Sequence, residues 1–148
     1  MTIRESDLRI LWSRGLFRQD GLLTEDSRKI AIEFPGLPSL LGPDFRRARF
    51  VLDGTPRAGD VELHLFTSGW ASHRHRENLE YAGVALHVAL WRDAAGRAPK
   101  SCAGETIPEL VLEPYLERPL AELVQAVRSR YPDEPGAAPD VAALGRLL

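Results

Sequence analysis

The sequence predicts an α/β fold of the α+β kind, a central mixed β-sheet flanked by helices. Three observations carry that prediction. An amphipathic helical stretch opens the chain, strand-like runs fill its middle, and a second amphipathic stripe follows Pro119. The 148 residues suit one domain with a single core.

From Glu5 to Phe17, Leu8, Leu11, Trp12 and Leu16 recur at helical spacing, with Ser6 or Asp7 as cap and Gly15 near the end. Gln19-Asp20-Gly21 forms a turn before Leu22-Leu23. The run Lys29 to Phe34 alternates, with Ile30, Ile32 and Phe34 on one face, and Pro35-Gly36 ends it. A loop rich in Pro and Gly, 37–43, leads to Asp44. Arg47 to Leu52 and Ala58 to Thr67 then flank Asp53-Gly54-Thr55-Pro56-Arg57, a hairpin signal. In the second of these strands Asp60, Glu62, His64 and Phe66 share one face, and Val61, Leu63 and Leu65 the other. Residues 72–81 are polar and read as a short helix or ordered loop. Val84 to Trp91 reads as a buried strand, and Thr106 to Leu112 as a further short extended piece. Pro119 opens a helix with the stripe Leu120, Leu123, Val124 and Val127, running to Tyr131. The predicted domain spans 1–131, followed over 132–148 by a Pro/Gly/Ala linker and a short helical end. The coarse order is α, β, β, β, short α, β, then a C-terminal helix.

A hydrophobic fraction of 44 % with 27 % charged residues excludes the disordered, collagen-like and coiled-coil classes. No window reaches the roughly 20 uncharged apolar residues that a membrane span needs. The opening MTIRESDLRI carries charges where an export signal would be apolar. The single cysteine, Cys102, excludes an internal disulfide framework and fits a reducing cytosol, so a cytoplasmic location is expected. A net charge of -2 confines any nucleic-acid contact to a local patch. Lysine occurs only at Lys29 and Lys100, which leaves almost no candidate for a catalytic lysine. The four histidines, His64, His73, His75 and His87, all fall in the middle third.

The strongest constellation is Gly42-Pro43-Asp44 followed by Gly59-Asp60-Val61-Glu62-Leu63-His64. Asp44 starts one hairpin strand and Glu62 lies within the next, so the two carboxylates can meet at one end of a sheet. Converging carboxylates hold a hard cation such as Mg²⁺ or Mn²⁺. His64, on the same face as Glu62, is placed to orient or deprotonate a water there. The plainer alternative is a turn-capping Asp44 beside a solvated Glu62 and His64. His73-x-His75 offers a second chemistry. With His64 or His87 it would complete a three-histidine zinc site. Arg47, Arg49, His73, Arg74 and His75 are candidate phosphate contacts, because guanidinium forks pair with phosphate oxygens. An ordinary solvated face is the alternative for these. His87, in an apolar strand, reads first as a satisfied core residue. If its face is that of Ala85, Ala89 and Trp91, it hydrogen-bonds toward the site. Trp70 and Tyr81 bracket the His-x-His segment as packing aromatics. Cys102 is given no role, and dinucleotide, P-loop and G-x-S-x-G motifs are missing.

The ordered motifs G-P-D-F, A-R-F-x-x-D-G, G-D-V-E-L-H, W-x-x-H-x-H and V-x-L-H-V resemble a bacterial family described only as a domain of unknown function. The likeness covers roughly Leu11 to Tyr115. It implies no established activity, and the chain resembles a short version of that family with most of the C-terminal part absent. More distantly, the chain resembles the PD-(D/E)XK nuclease superfamily, whose shared αβββαβ core has Pro-Asp at its second strand and (D/E)-x-K on its third. Pro43-Asp44 and Glu62-Leu63-His64 match these elements, with His64 where lysine is expected, and Glu5 weakly matches an extra acid in the first helix. The resemblance implies that Asp44 and Glu62 hold a metal for phosphodiester hydrolysis of DNA or RNA. Histidine, neutral for much of the time near pH 7, stabilises phosphate charge less than lysine would. Three readings follow: a Mg²⁺- or Mn²⁺-dependent nuclease using Asp44, Glu62 and His64; a catalytically inactive nuclease-fold binding or scaffold domain; and a zinc hydrolase built on histidines. A homo-oligomer or a separate partner chain supplying the C-terminal part is a further expectation.

Overall fold

The structure is a computed structural model in which residues 2–73, 75–93 and 97–132 are described. Helix α1, Glu5–Ser13, starts one residue after Arg4, so Ser6 and Asp7 lie inside its first turn rather than before it. Asp7 still works at this end, accepting a hydrogen bond from the Arg4 N–H at 2.8 Å. Burial alone would raise the Asp7 carboxyl, but hydrogen bonds from Arg128 and from the Arg4 backbone outweigh it and hold the group below its usual range. The helix stops at Ser13, short of Phe17. Gly15, at φ +63, takes the left-handed position, and Leu16 and Gly15 return hydrogen bonds to the Leu11 and Trp12 carbonyls at 2.9 and 3.1 Å. This double return closes the helix end.

Strand β1 is Ile30–Phe34, as the alternation predicts. The following loop contains a two-residue strand, β2, at Leu37–Pro38, which the sequence does not announce. Strands β3, Phe45–Leu52, and β4, Thr55–Phe66, form the expected hairpin. Its turn is tighter than the five-residue reading. Only Asp53 and Gly54 intervene, at φ +47 and +80, the pair of positive values that a two-residue primed turn requires. The polar stretch folds as a short helix, α2, Gly69–Ser72, and two 3₁₀ turns, His75–Glu77 and Leu79–Tyr81. Strand β5 is Val84–Trp91, β6 is Glu109–Val111, and α3 is Leu120–Arg130 with Pro119 at its cap. From residue 133 onward the linker and terminal helix expected from sequence lie outside the described residues.

The sheet runs β1-β3-β4-β5-β6, with β2 also paired to β3. The β1, β3 and β4 pairings are antiparallel, whereas β4-β5 and β5-β6 are parallel, so the sheet is mixed. One face is apolar. Val61, Leu63, Leu86, Val88, Leu90, Leu110 and Leu112 form one buried cluster with Leu8 and Trp12 of α1. Helix α3 backs α1 through Leu123 and Val127 against Ile10 and Leu11. The other face carries Glu62, His64, His87 and Glu109, all buried. A parallel β4-β5 pair requires a crossover rather than a tight turn. Residues 67–83 make that crossover, and Trp70 packs with Val84 and Ile107 to seat it. The topology therefore lays the His-x-His segment over the polar face of the sheet.

Candidate metal centre

Alternation along β4 sends Glu62 and His64 to the same face, and the crossover adds His73 and His75 from above. One ligand atom each from His64, His73 and His75 lies within 4.8 Å of the others. The His75 Nε2 is 2.7 Å from Glu62 Oε2 and 3.2 Å from His64 Nε2, and His64 Nε2 is 3.6 Å from the same carboxylate oxygen. His73 stands at the C-terminal end of α2, and His75 opens the next 3₁₀ turn. The two belong to different elements, and their ring centroids are 5.5 Å apart. His73 is the exposed member of the three, and its ring lies 4.6 Å from that of His64.

Asp44 immediately precedes β3. Its backbone N–H donates to Glu62 Oε1 at 3.1 Å, and its Oδ2 accepts from the Leu63 N–H at 2.8 Å. The structure thus brings Asp44, Glu62 and His64 together as the sequence predicts. It adds Arg9, whose guanidinium pairs with Asp44 Oδ1 and lies over the Phe45 ring. Glu5, one turn earlier on α1, feels burial first and Asp44 second, and both raise its carboxyl pKa.

The electrostatics follow from this crowding. Burial, repulsion from Asp44 and hydrogen bonding to Asp44 push the Glu62 carboxyl up to about 10. Burial and the neighbouring imidazoles push His64 down to about 2, while burial, His73 and His87 take His75 down to about 4. Near neutral pH His64 and His75 therefore keep their lone pairs, and Glu62 keeps a proton beside them. A proton on Glu62 and a cation are competing occupants of one set of donors. The set of three imidazole nitrogens plus carboxylate oxygen suits zinc or a similar borderline ion better than Mg²⁺, which prefers oxygen alone.

The supporting shell is equally specific. His87 lies wholly buried behind His64, its Nε2 2.8 Å from His64 Nδ1, and its Nδ1 2.6 Å from Glu109 Oε2. His87 is therefore on the face of Ala85, Ala89 and Trp91 and does bond toward the site. Tyr81 stacks on His75 with ring centroids 3.9 Å apart, and Trp70 meets His75 and His87 edge-on. Gly69 is required here, since a Cβ on it would stand 2.5 Å from the His64 ring. Among the described residues, no buried side-chain nitrogen or oxygen lacks a hydrogen-bond partner.

The arginines are dispersed. Arg47, at φ +59 in a bulge, donates its backbone N–H to Asp60, and its side chain is exposed. Arg49 covers the Phe34 ring opposite Ala58, four residues along β4 from Glu62, or about 13 Å at strand rise. Arg46 pairs with Asp60 at 3.3 Å, and Arg74 lies outside the described residues. Sequence reasoning missed Arg9, Gly69 and Glu109. Arg9 follows Glu5 by one helical turn, a signal for a shared face. Glu109 and Gly69 carry no local signal.

A buried histidine–carboxylate cluster on a mixed α/β sheet is thus the distinctive feature of this domain. The chain belongs to the family described as Protein of unknown function (DUF2851), whose model matches residues 5–137. Neither the curated proteins nor the solved structures give a significant match. Among the described residues no helix is long and apolar enough to cross a membrane.

Proposed function

We propose that this domain is a metal-dependent hydrolase that cleaves a phosphodiester in DNA or RNA. The observation that carries the reading is the convergence of His64, His73 and His75, with Glu62 against two of them, His64 and His75, and Asp44 beside Glu62. The three imidazoles would hold a zinc ion, with Glu62 alongside and Mn²⁺ as the alternative ion. When bound, that ion supplies Lewis-acid polarisation and eases ionisation of a water. Glu62 would have to give up its proton for such an ion to bind against it. Asp44 is held at the edge of the centre by Arg9 and the Leu63 N–H. His73, the exposed member, would meet an arriving phosphate first, and Arg47 and Arg49 on β3 would be further backbone contacts.

The element order supports the phosphodiester assignment. Asp44 precedes β3, the second long strand after α1, and Glu62-Leu63-His64 lies on the third, followed by α2 and β5. That order is compatible with the nuclease resemblance, in which Glu5 of α1, close enough to Asp44 to feel its charge, would be the additional acid. A second reading, a non-catalytic nuclease-fold binding domain, draws on one observation. Both Asp44 carboxylate oxygens already have protein partners, Arg9 and the Leu63 N–H.

Purified protein loaded separately with Zn²⁺, Mn²⁺ or Mg²⁺ and assayed on a panel of DNA and RNA separates the two. Cleavage that disappears in Asp44→Asn and Glu62→Gln is the expected result. Cleavage surviving both substitutions overturns the assignment. Nucleic-acid binding without turnover in any metal selects the binding domain.

A further inference from the structure

The parallel register of the last three strands places Glu62, His87 and Glu109 directly opposite one another on β4, β5 and β6. Neighbouring strands lie about 4.8 Å apart, so long polar side chains in such a row reach each other. His64, two residues beyond Glu62 on the same face, meets His87 diagonally. The contacts form a continuous line in which Glu109 Oε2 lies 2.6 Å from His87 Nδ1, and His87 Nε2 lies 2.8 Å from His64 Nδ1.

Hydrogen-bond logic gives this line a direction. The Glu109 carboxylate accepts only, so His87 Nδ1 carries the hydrogen. With a neutral His87 ring, the Nε2 has a lone pair and accepts, and His64 Nδ1 donates. His64 Nε2 is left bare, and it faces His75 and Glu62. Glu109 also lines a cavity of about 190 Å³ together with Glu25, Asp26, Arg92 and Arg97, of which Arg92 pairs with Glu25 at 3.0 Å.

We propose that Glu109 and His87 are positioning residues of the metal centre, fixing the tautomer of His64 and aiming its Nε2 at the ion. The proposal deepens the metal-centre reading and rests on it for its purpose. It makes His64 the ligand that is set by the sheet before any ion arrives, with His73 and His75 added from the crossover. Neither His87 nor Glu109 touches substrate in this scheme. Their influence passes through His64 alone, as an outer-shell carboxylate–histidine pair does.

The test has two independent readouts. In metal-free wild type, ¹⁵N NMR of the histidine rings is expected to show His64 solely as the Nδ1–H tautomer. A His64 found as Nε2–H overturns the proposal without reference to any variant. In Glu109→Gln the amide offers a donor as well as an acceptor, so the tautomer is no longer imposed, and His64 should show both forms. Zinc affinity, measured by competition with a chromophoric chelator, should fall roughly 10- to 100-fold in Glu109→Gln. It should recover in large part in Glu109→Asp, which restores an acceptor-only group. Wild-type affinity in Glu109→Gln with His64 unchanged sinks the positioning role. Wild type that binds no zinc, with His64 still locked as Nδ1–H, sinks the metal reading and leaves the tautomer assignment standing.

Discussion

On one face of β4, Val61 and Leu63 pack against α1 and the aliphatic residues of β5 and β6. On the other, Glu62 and His64 are buried almost as deeply, at 6 % and 2 % exposure, yet among imidazoles and carboxylates. The first face stabilises the fold in proportion to the apolar area it removes from water. The second costs stability, because each polar group there must be desolvated and then fully partnered. A strand placed between these two environments gives up stability on its polar face that its apolar face supplies. Strongly displaced pKa values on the polar face alone point the same way.

That contrast breaks most severely on its apolar side. Leu63→Ala should lower unfolding free energy by about 2–5 kcal/mol, read from denaturant titration, while zinc stoichiometry stays that of wild type. His64→Ala should reverse the pattern. Bound zinc, measured by elemental analysis, should be lost, with a destabilisation of about 1–3 kcal/mol from the unpaired His87 nitrogen. Gly69→Ala probes the contact between crossover and sheet. Its added methyl cannot fit beside the His64 ring unless the crossover lifts, so zinc affinity should drop about tenfold at a stability cost of about 1–3 kcal/mol.

A last effect is that of pH on the metal-free protein. His64 and His75 have folded pKa values of about 2 and about 4, against 6.5 unfolded. The unfolded chain therefore binds more protons than the folded one below 6.5, and melting temperature should fall as pH drops from there toward 4. Glu62 acts in the opposite sense. Its raised pKa means the folded state holds an extra proton between 4.5 and about 10, so stability also declines toward alkaline pH. Differential scanning calorimetry across the range should show a maximum between these limbs, and bound zinc should flatten both. A melting temperature independent of pH between 4 and 6.5 would mean that the histidines are solvated.

Much of the fold is legible because its strands are punctuated. Val84 to Trp91 is bounded by Gly83 and Arg92-Asp93, and its limits in the structure are those the sequence suggests. The hairpin turn was overestimated because Thr55, Pro56 and Arg57 look like loop residues, although they pair with β3 at the exposed end. The site divides in the same way. Glu62-x-His64 and His73-x-His75 announce themselves through local spacing, and Pro43-Asp44 through its position before a strand. Glu109 does not, since its role depends on which strands are neighbours and in what register, a non-local property that a parallel sheet encodes nowhere in its own segments. Gly69 is hidden for a related reason: what excludes a side chain there is a ring five residues back on another element.

The crossover between β4 and β5 supplies two of the imidazoles while the sheet supplies the third. Docking of residues 67–83 and occupancy of the centre are therefore one equilibrium viewed from two ends. Free zinc at a hundredfold excess over its dissociation constant would hold the crossover down by about 2.7 kcal/mol. A bound metal would then govern how often this stretch opens to proteases or to hydrogen exchange. In a metal-poor setting, the protein's lifetime would report the ion supply through Trp70 and the backbone around it.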